Sequence, residues 1–369
     1  MPRAIAGSPT PFPILARNRA FRDQEINVSA ATMSILGTIG KMRVQEHSVR
    51  GSRREAKFPA ISYMVLVFLV PGVLIGAAFA AANTNWFFYH DNYFMLRNAG
   101  YSLSLHHADC QVVLTGDSSA LTGLDPQTVT KITGLSACNV AEGGTVTVVT
   151  GSYPLDTYLQ NNAAPEYIVF MFTPSLFRPF HSWNESSSYY EGITYLLRYE
   201  RNKDTYMKLM MHPRETLFFA AWAANSIVAD SVTRLVNPHK YEGIEDPALF
   251  RKRRNGLFTF YSAPETSCYR NGLDKKQTVT TDPEWVASLR RKYGVNGTRV
   301  IVNVAPVPDC DDMKDVYEQV LKGVHDNQLE VLPIGMFNSQ DVHPTLEGAQ
   351  HISTGVANQI LTDERIRTP

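Results

Sequence analysis

The 369-residue sequence has no net charge, because 35 Lys and Arg offset 35 Asp and Glu. A balanced chain has no overall field to gather a polyanion, so nucleic acid is not an expected partner. Cysteine is scarce, at four residues. No CxxC or Cys/His pair has zinc spacing, and the cluster His106, His107, Asp109 and Cys110 lacks a matching second half. Neither a metal nor another cofactor is expected. Internal repeats are absent, and 44% hydrophobic against 19% charged residues excludes global disorder. The chain is long enough to bury one large core or two ordinary ones.

Charge is also missing locally. From Phe58 to Tyr89 there is no Asp, Glu, Lys or Arg, and Ala60 to Ala82 (AISYMVLVFLVPGVLIGAAFAAA) is long and apolar enough to cross roughly 30 Å of hydrocarbon as a helix. Residues 41 to 57, rich in Lys and Arg, precede it, and the positive-inside rule assigns that side to the cytoplasm. Three readings compete: an uncleaved signal anchor, a signal peptide cleaved near Ala80 to Asn83, and a core helix. The anchor is favoured because the run exceeds a signal core and follows a long leader. Met33, Met42 and Met64 are alternative starts that would favour cleavage. The expected plan is a basic, disordered cytoplasmic segment (1–57), a transmembrane helix (58–82), a linker (83–107) and an exported domain (108–365). This places the protein in the inner or plasma membrane as a single-pass chain, with its domain periplasmic or extracellular. The four cysteines suit an oxidising compartment and allow two disulfides in three pairings.

Within the exported part, short apolar runs alternate with helical patterns. Strands are expected at 111–115, 135–140, 166–172, 299–305 and 329–333, and helices at 126–133, 154–161, 283–293, 312–325 and 345–361. The alternation predicts an α/β domain with a parallel sheet. It is interrupted by a mainly helical insertion at about 183–282, with amphipathic helices at 192–211 and 214–236 and a possible strand at 257–261. The basic run 251–254 (RKRR) reads as a solvated turn, with contact to an anionic polymer or phospholipid head groups as the alternative.

Ligands of an open parallel sheet bind at the carboxyl ends of its strands. Gly116-Asp117-Ser118-Ser119 ends the first strand, and a serine there can present its hydroxyl to the crevice. Its role as a helix cap is the competing reading. A serine nucleophile needs an imidazole to take its proton, and the imidazole needs an acceptor to fix its tautomer. Asp341 and His343 lie in another strand-end loop, just before the last helix, and the competing reading of His343 is a cap for the helix that begins after Pro344. Asp117 is expected to hold the turn rather than act as an acid.

The ordered blocks GDSSALTGLDP, NVAEGG (Asn139 to Gly144), PEYIVFMFTP and DVHPTLEGA resemble the SGNH, or GDSL-type, hydrolase superfamily, in particular its membrane-anchored cell-envelope branch. The resemblance spans the whole sheet domain and implies a flavodoxin-like α/β/α sandwich. It implies Ser118 as nucleophile, His343 as general base and Asp341 as the acid. The Ser118 N–H with Gly143 or Gly144 would bind the oxyanion, and Asp117 and Asn139 would support the site from behind. Two departures stand out. Where the family carries a Gly-x-Asn-Asp block, with its Asn as a further oxyanion donor, this chain has Phe172-Thr173-Pro174-Ser175. Asp341 stands two residues before the histidine instead of three.

The expected activity is serine-dependent ester hydrolysis or O-acyl transfer, of acetyl-type groups, on a cell-envelope or exported polysaccharide. Its partners would be a glycan or acyl-ester substrate, the membrane through the N-terminal helix, and a membrane acyl-donor protein. The alternatives are a non-catalytic accessory protein of a polysaccharide modification or export complex, and a lipase-like enzyme acting on membrane lipids.

Overall fold

The computed structural model describes residues 100–143, 153–177, 251–259, 264–266, 281–338 and 343–367, with single positions between 69 and 80 and between 203 and 236. The chain divides into two units, 1–60 and 61–369, and the described residues all belong to the second. The expectations for residues 1–57, the apolar run 60–82, the linker up to 99 and the two insertion helices lie outside the described residues, single positions apart. So do Gly144 and Asp341. Among the described residues no helix is long and apolar enough to cross a membrane.

The elements are α1 (Tyr101–Ser104), β1 (Val112–Gly116), α2 (Ser118–Gly123), α3 (Pro126–Thr133), β2 (Ala137–Asn139), α4 (Tyr153–Asn161), β3 (Tyr167–Phe172), α5 (Pro283–Tyr293), β4 (Arg299–Val304), β5 (Val307–Pro308), α6 (Lys314–Leu321), β6 (Val331–Leu332) and α7 (Leu346–Arg367). Local chemistry sets several boundaries. Asp125 caps α3 by accepting the Gln127 N–H, Pro126 follows at the first helical position, and Gly134 ends the helix at φ 77°. α5 repeats the device, with the Asp282 carboxylate on the Trp285 N–H and Pro283 behind it. Its last turn carries Arg290, Arg291 and Lys292, which suits the negative end of the helix.

Four strands form one parallel sheet in the order β2-β1-β3-β4. β1 and β3 are buried along their whole length, as expected for strands covered on both faces. Alternate residues feed two cores. Val113, Ile168, Phe170, Phe172 and Val302 pack with Tyr158 of α4, Leu289 of α5 and Leu321 of α6. Val112, Leu114, Val169, Met171 and Ile301 pack with Leu121 of α2, Val129 of α3 and Ile352 of α7. The result is an α/β fold with helices on both faces of a parallel sheet.

Both edges of this sheet are closed by irregular chain. At β4 the Asn327 carboxamide takes the place of a neighbouring strand, accepting from the Val304 N–H and donating to the Val304 carbonyl, both at 2.9 Å. Beside it, the Asp326 carboxylate accepts the Val302 N–H at 2.8 Å and the Asp326 N–H donates to the Val302 carbonyl at 2.8 Å. The expected strand at 329–333 shortens to β6, which pairs with β5 in a separate two-stranded sheet. At β2 the Asn139 N–H donates to the Asn255 carbonyl at 2.9 Å.

That last contact corrects the reading of 251–254 as a solvated turn. Arg251 is 0% exposed, and the Phe258 N–H donates to the Leu121 carbonyl at 3.1 Å. This stretch belongs to the sheet domain although the sequence puts it inside the insertion, and Leu257 to Thr259 form no strand. Only Lys252 and Arg253 keep the expected character, both exposed, while Arg254 is half-buried and pairs with Asp125. The expectation of two disulfides is also corrected. Cys310 is disulfide-bonded, but Cys110 and Cys138 are buried free thiols.

Candidate active site

In the order β2-β1-β3-β4 the chain reverses direction of travel across the sheet between β1 and β3, and the crevice of such a sheet opens at the carboxyl ends of those two strands. Gly116 ends β1 there. Its φ is +143°, and a Cβ added to it would stand 1.9 Å from the Met171 carbonyl oxygen. Only glycine lets β1 turn this close to β3. Asp117 follows, fully buried. Its Oδ1 accepts the Ser119 N–H at 2.8 Å and the Ser119 hydroxyl at 2.6 Å; its Oδ2 accepts the Thr173 N–H at 2.9 Å and the Thr173 hydroxyl at 3.1 Å. Burial pushes the Asp117 carboxyl above the usual carboxylate range, and these four bonds pull the other way. The carboxylate therefore staples the turn after β1 to the loop after β3.

Ser118 is the first residue of α2 and is half-buried. Ser119 is fully buried and spends its hydroxyl on Asp117, so of the two adjacent serines only Ser118 has a hydroxyl with no hydrogen-bond partner among the described residues. The cap reading of Ser118 is corrected by this division, because Asp117 is the capping residue.

Asn139, also fully buried, ties the next loop to the same helix. Its Nδ2 donates to the Ala120 and Leu124 carbonyls at 2.8 and 2.9 Å, and its Oδ1 accepts the Ala141 N–H at 2.9 Å. The loop continues through Glu142 to Gly143, which is buried. Glu142 is held by Arg251, whose Nη1 lies 3.2 and 3.3 Å from the two carboxylate oxygens, and by the Ser102 hydroxyl at 3.0 Å. Arg251 also donates to the Ala141 carbonyl at 2.6 Å and to the Gly256 carbonyl at 3.0 Å, and its guanidinium sits 4.8 Å above the Tyr101 ring. Burial raises the Glu142 carboxyl to about 7, opposed by the Arg251 charge and the Ser102 hydroxyl. Ser102, Glu142 and Arg251 thus form a buried clamp beside Gly143.

His343 is buried in the loop that leads into α7. Asn338 shapes this loop: its N–H donates to the His343 carbonyl at 2.7 Å and its Nδ2 to the Pro344 carbonyl at 3.0 Å. Pro344 lies against the end of α2, its Cγ 3.3 Å from where a Cβ on Gly123 would stand. The structure therefore brings the His343 loop onto the short helix that Ser118 begins. Thr173, in the loop after β3, directs both of its donors to Asp117.

Sequence reasoning passed over Ser119, Thr173, Asn338, Ser102 and the Glu142–Arg251 pair. The last left a trace, a lone carboxylate within the small and apolar run Val140-Ala141-Glu142-Gly143. Comparison with protein-family models, with curated proteins and with solved structures returns no match.

Proposed function

We propose that the chain is a serine ester hydrolase or O-acyltransferase of the SGNH type, built on a flavodoxin-like α/β/α sandwich and acting on acetyl-type esters of an envelope or exported polysaccharide. The observation that carries this reading is the division of labour at the end of β1. Buried Asp117 takes Ser119 and Thr173 and leaves the Ser118 hydroxyl at the head of α2, at the switch point of a parallel sheet, on the short helix whose other end, at Gly123, meets the His343 loop.

In this mechanism the Ser118 Oγ attacks the ester carbonyl carbon as its proton passes to the His343 imidazole, with Asp341 fixing the tautomer. The tetrahedral oxyanion is held by the Ser118 N–H and by Gly143 or Gly144. The carbon–oxygen bond to the alcohol then breaks, and the alcohol leaves with the proton from His343. Water or a sugar hydroxyl attacks the acyl-Ser118 ester after giving its proton to His343, which releases the acid or a new ester and restores Ser118. The apolar run 60–82 would anchor the chain in the membrane with the sheet domain outside, near a membrane acyl donor.

One observation favours a second reading, an accessory protein that keeps the fold without turnover. Thr173 gives both donors to Asp117, so it supplies none to an oxyanion, and loss of one such donor costs about 3 to 4 kcal/mol. Hydrolysis of p-nitrophenyl acetate by the full chain separates the two. The enzyme reading predicts turnover that Ser118→Ala lowers at least ~10³-fold without lowering the melting temperature. Turnover retained in Ser118→Ala contradicts it, and a folded parent chain without turnover favours the accessory reading.

A further inference from the structure

A cleft of about 630 Å³ opens along the β4 edge, between that strand, the 326–331 segment and α7. Neither Ser118 nor His343 lines it. Asn303 does, and although it is 98% buried its Oδ1 has no hydrogen-bond partner, while its Nδ2 donates to the Gln359 Oε1 at 2.9 Å. A buried acceptor without a protein donor is uncommon, and a ligand hydroxyl or a bridging water that reached it would satisfy it. Gly355, in the interior of α7, also lines the cleft, and a Cβ there would meet nothing within 4 Å. Glycine weakens a helix interior, and here its effect is to leave the cleft open.

The lining selects the ligand by exclusion. Among the described residues no Lys, Arg or His lies on it, which argues against an anion. Its two carboxylates are engaged, Asp326 by Arg290 and Glu330 by His351, so neither is left to attract a cation. Among the described residues no aromatic ring lines the cleft to stack a flat base. What remains is carboxamides, Asn303, Gln328, Asn358 and Gln359, with Thr362, above a floor of Met171, Ile352 and Val356. Neutral donors and acceptors over an apolar floor suit a ligand with many hydroxyls and C–H faces, and the volume falls in the range of small-molecule sites.

We propose that this cleft is a saccharide-binding site distinct from the Ser118 crevice, taking one or two neutral sugar units. It does not depend on Ser118 being a nucleophile. The test is calorimetric titration of the full chain, in a phosphocholine detergent free of sugar, with cellotriose, maltotriose and chitotriose, and with trigalacturonate as the charged comparison. Saturable binding of at least one neutral trisaccharide is expected. Gly355→Leu fills the cleft and improves the helix, so it should weaken binding about tenfold or more with no fall in melting temperature, and Gln359→Leu should weaken it as well. Ser118→Ala should bind as the parent does. The proposal is overturned if no neutral trisaccharide binds, if trigalacturonate binds better, if both cleft variants bind as the parent, or if Ser118→Ala removes binding.

Discussion

Gly116 and Asp117 show how little freedom the turn after β1 has. At φ +143° and with the Met171 carbonyl oxygen 1.9 Å from an added Cβ, Gly116→Ala must move β1 away from β3 or twist the turn. The expected cost is roughly 3 to 5 kcal/mol, read as a lower urea midpoint, and any ester turnover should be lost with it. A variant as stable as the parent would contradict the turn geometry. The Gly-Asp-Ser-Ser tetrapeptide was legible as a strand-ending turn with a candidate nucleophile because each residue type has a local reason to be there. Its partner Thr173 was not legible, since its contact with Asp117 spans 56 residues and no local pattern reports it. Asn338 was hidden for a different reason. Its bonds are local, but an Asn in a loop has many equivalent uses.

Strands β1, β3 and β4 and helices α3, α4 and α5 fall where hydrophobic period, Asp caps, prolines and glycines place them. Elements whose form depends on tertiary pairing depart from expectation. β6 shrinks because Asp326 and Asn327 already occupy the β4 edge, and the helix expected at 312–325 shortens to α6, ending before Gly323 at φ 77°. The segment 251–258 departs most, because a run of basic residues reads as surface whereas Arg251 finds Glu142 across 109 residues.

This clamp has a pH signature. Burial holds the Glu142 carboxyl at about 7 against an ordinary 4.5, so between these values the folded chain binds a proton that the unfolded chain has released. Stability is fully present below about pH 4.5 and falls as pH rises through 7, by on the order of 3 kcal/mol at most. Glu142→Gln should flatten this part of the profile in urea titrations at pH 5 and pH 8. An unchanged slope would contradict the assignment.

At the scale of the molecule, both edges of the parallel sheet meet irregular chain: Asn255 pairs with Asn139 at the end of β2, and two side chains pair with β4. Engaging both edges guards against pairing with other chains, and it also fixes one loop of the candidate site, since the segment at β2 carries the Arg251 clamp beside Gly143. The order β2-β1-β3-β4 then sets Ser118 and Thr173 at the same end of neighbouring strands. The central claim is that this arrangement activates Ser118 through His343. The measurement that tests it most directly is peptide mapping by mass spectrometry after exposing the full chain, Ser118→Ala and His343→Ala to a fluorophosphonate. The account predicts one modified residue, Ser118, and its loss in both variants. Modification at another residue, Ser118 labelling undiminished in His343→Ala, or a folded chain that takes no label would contradict it.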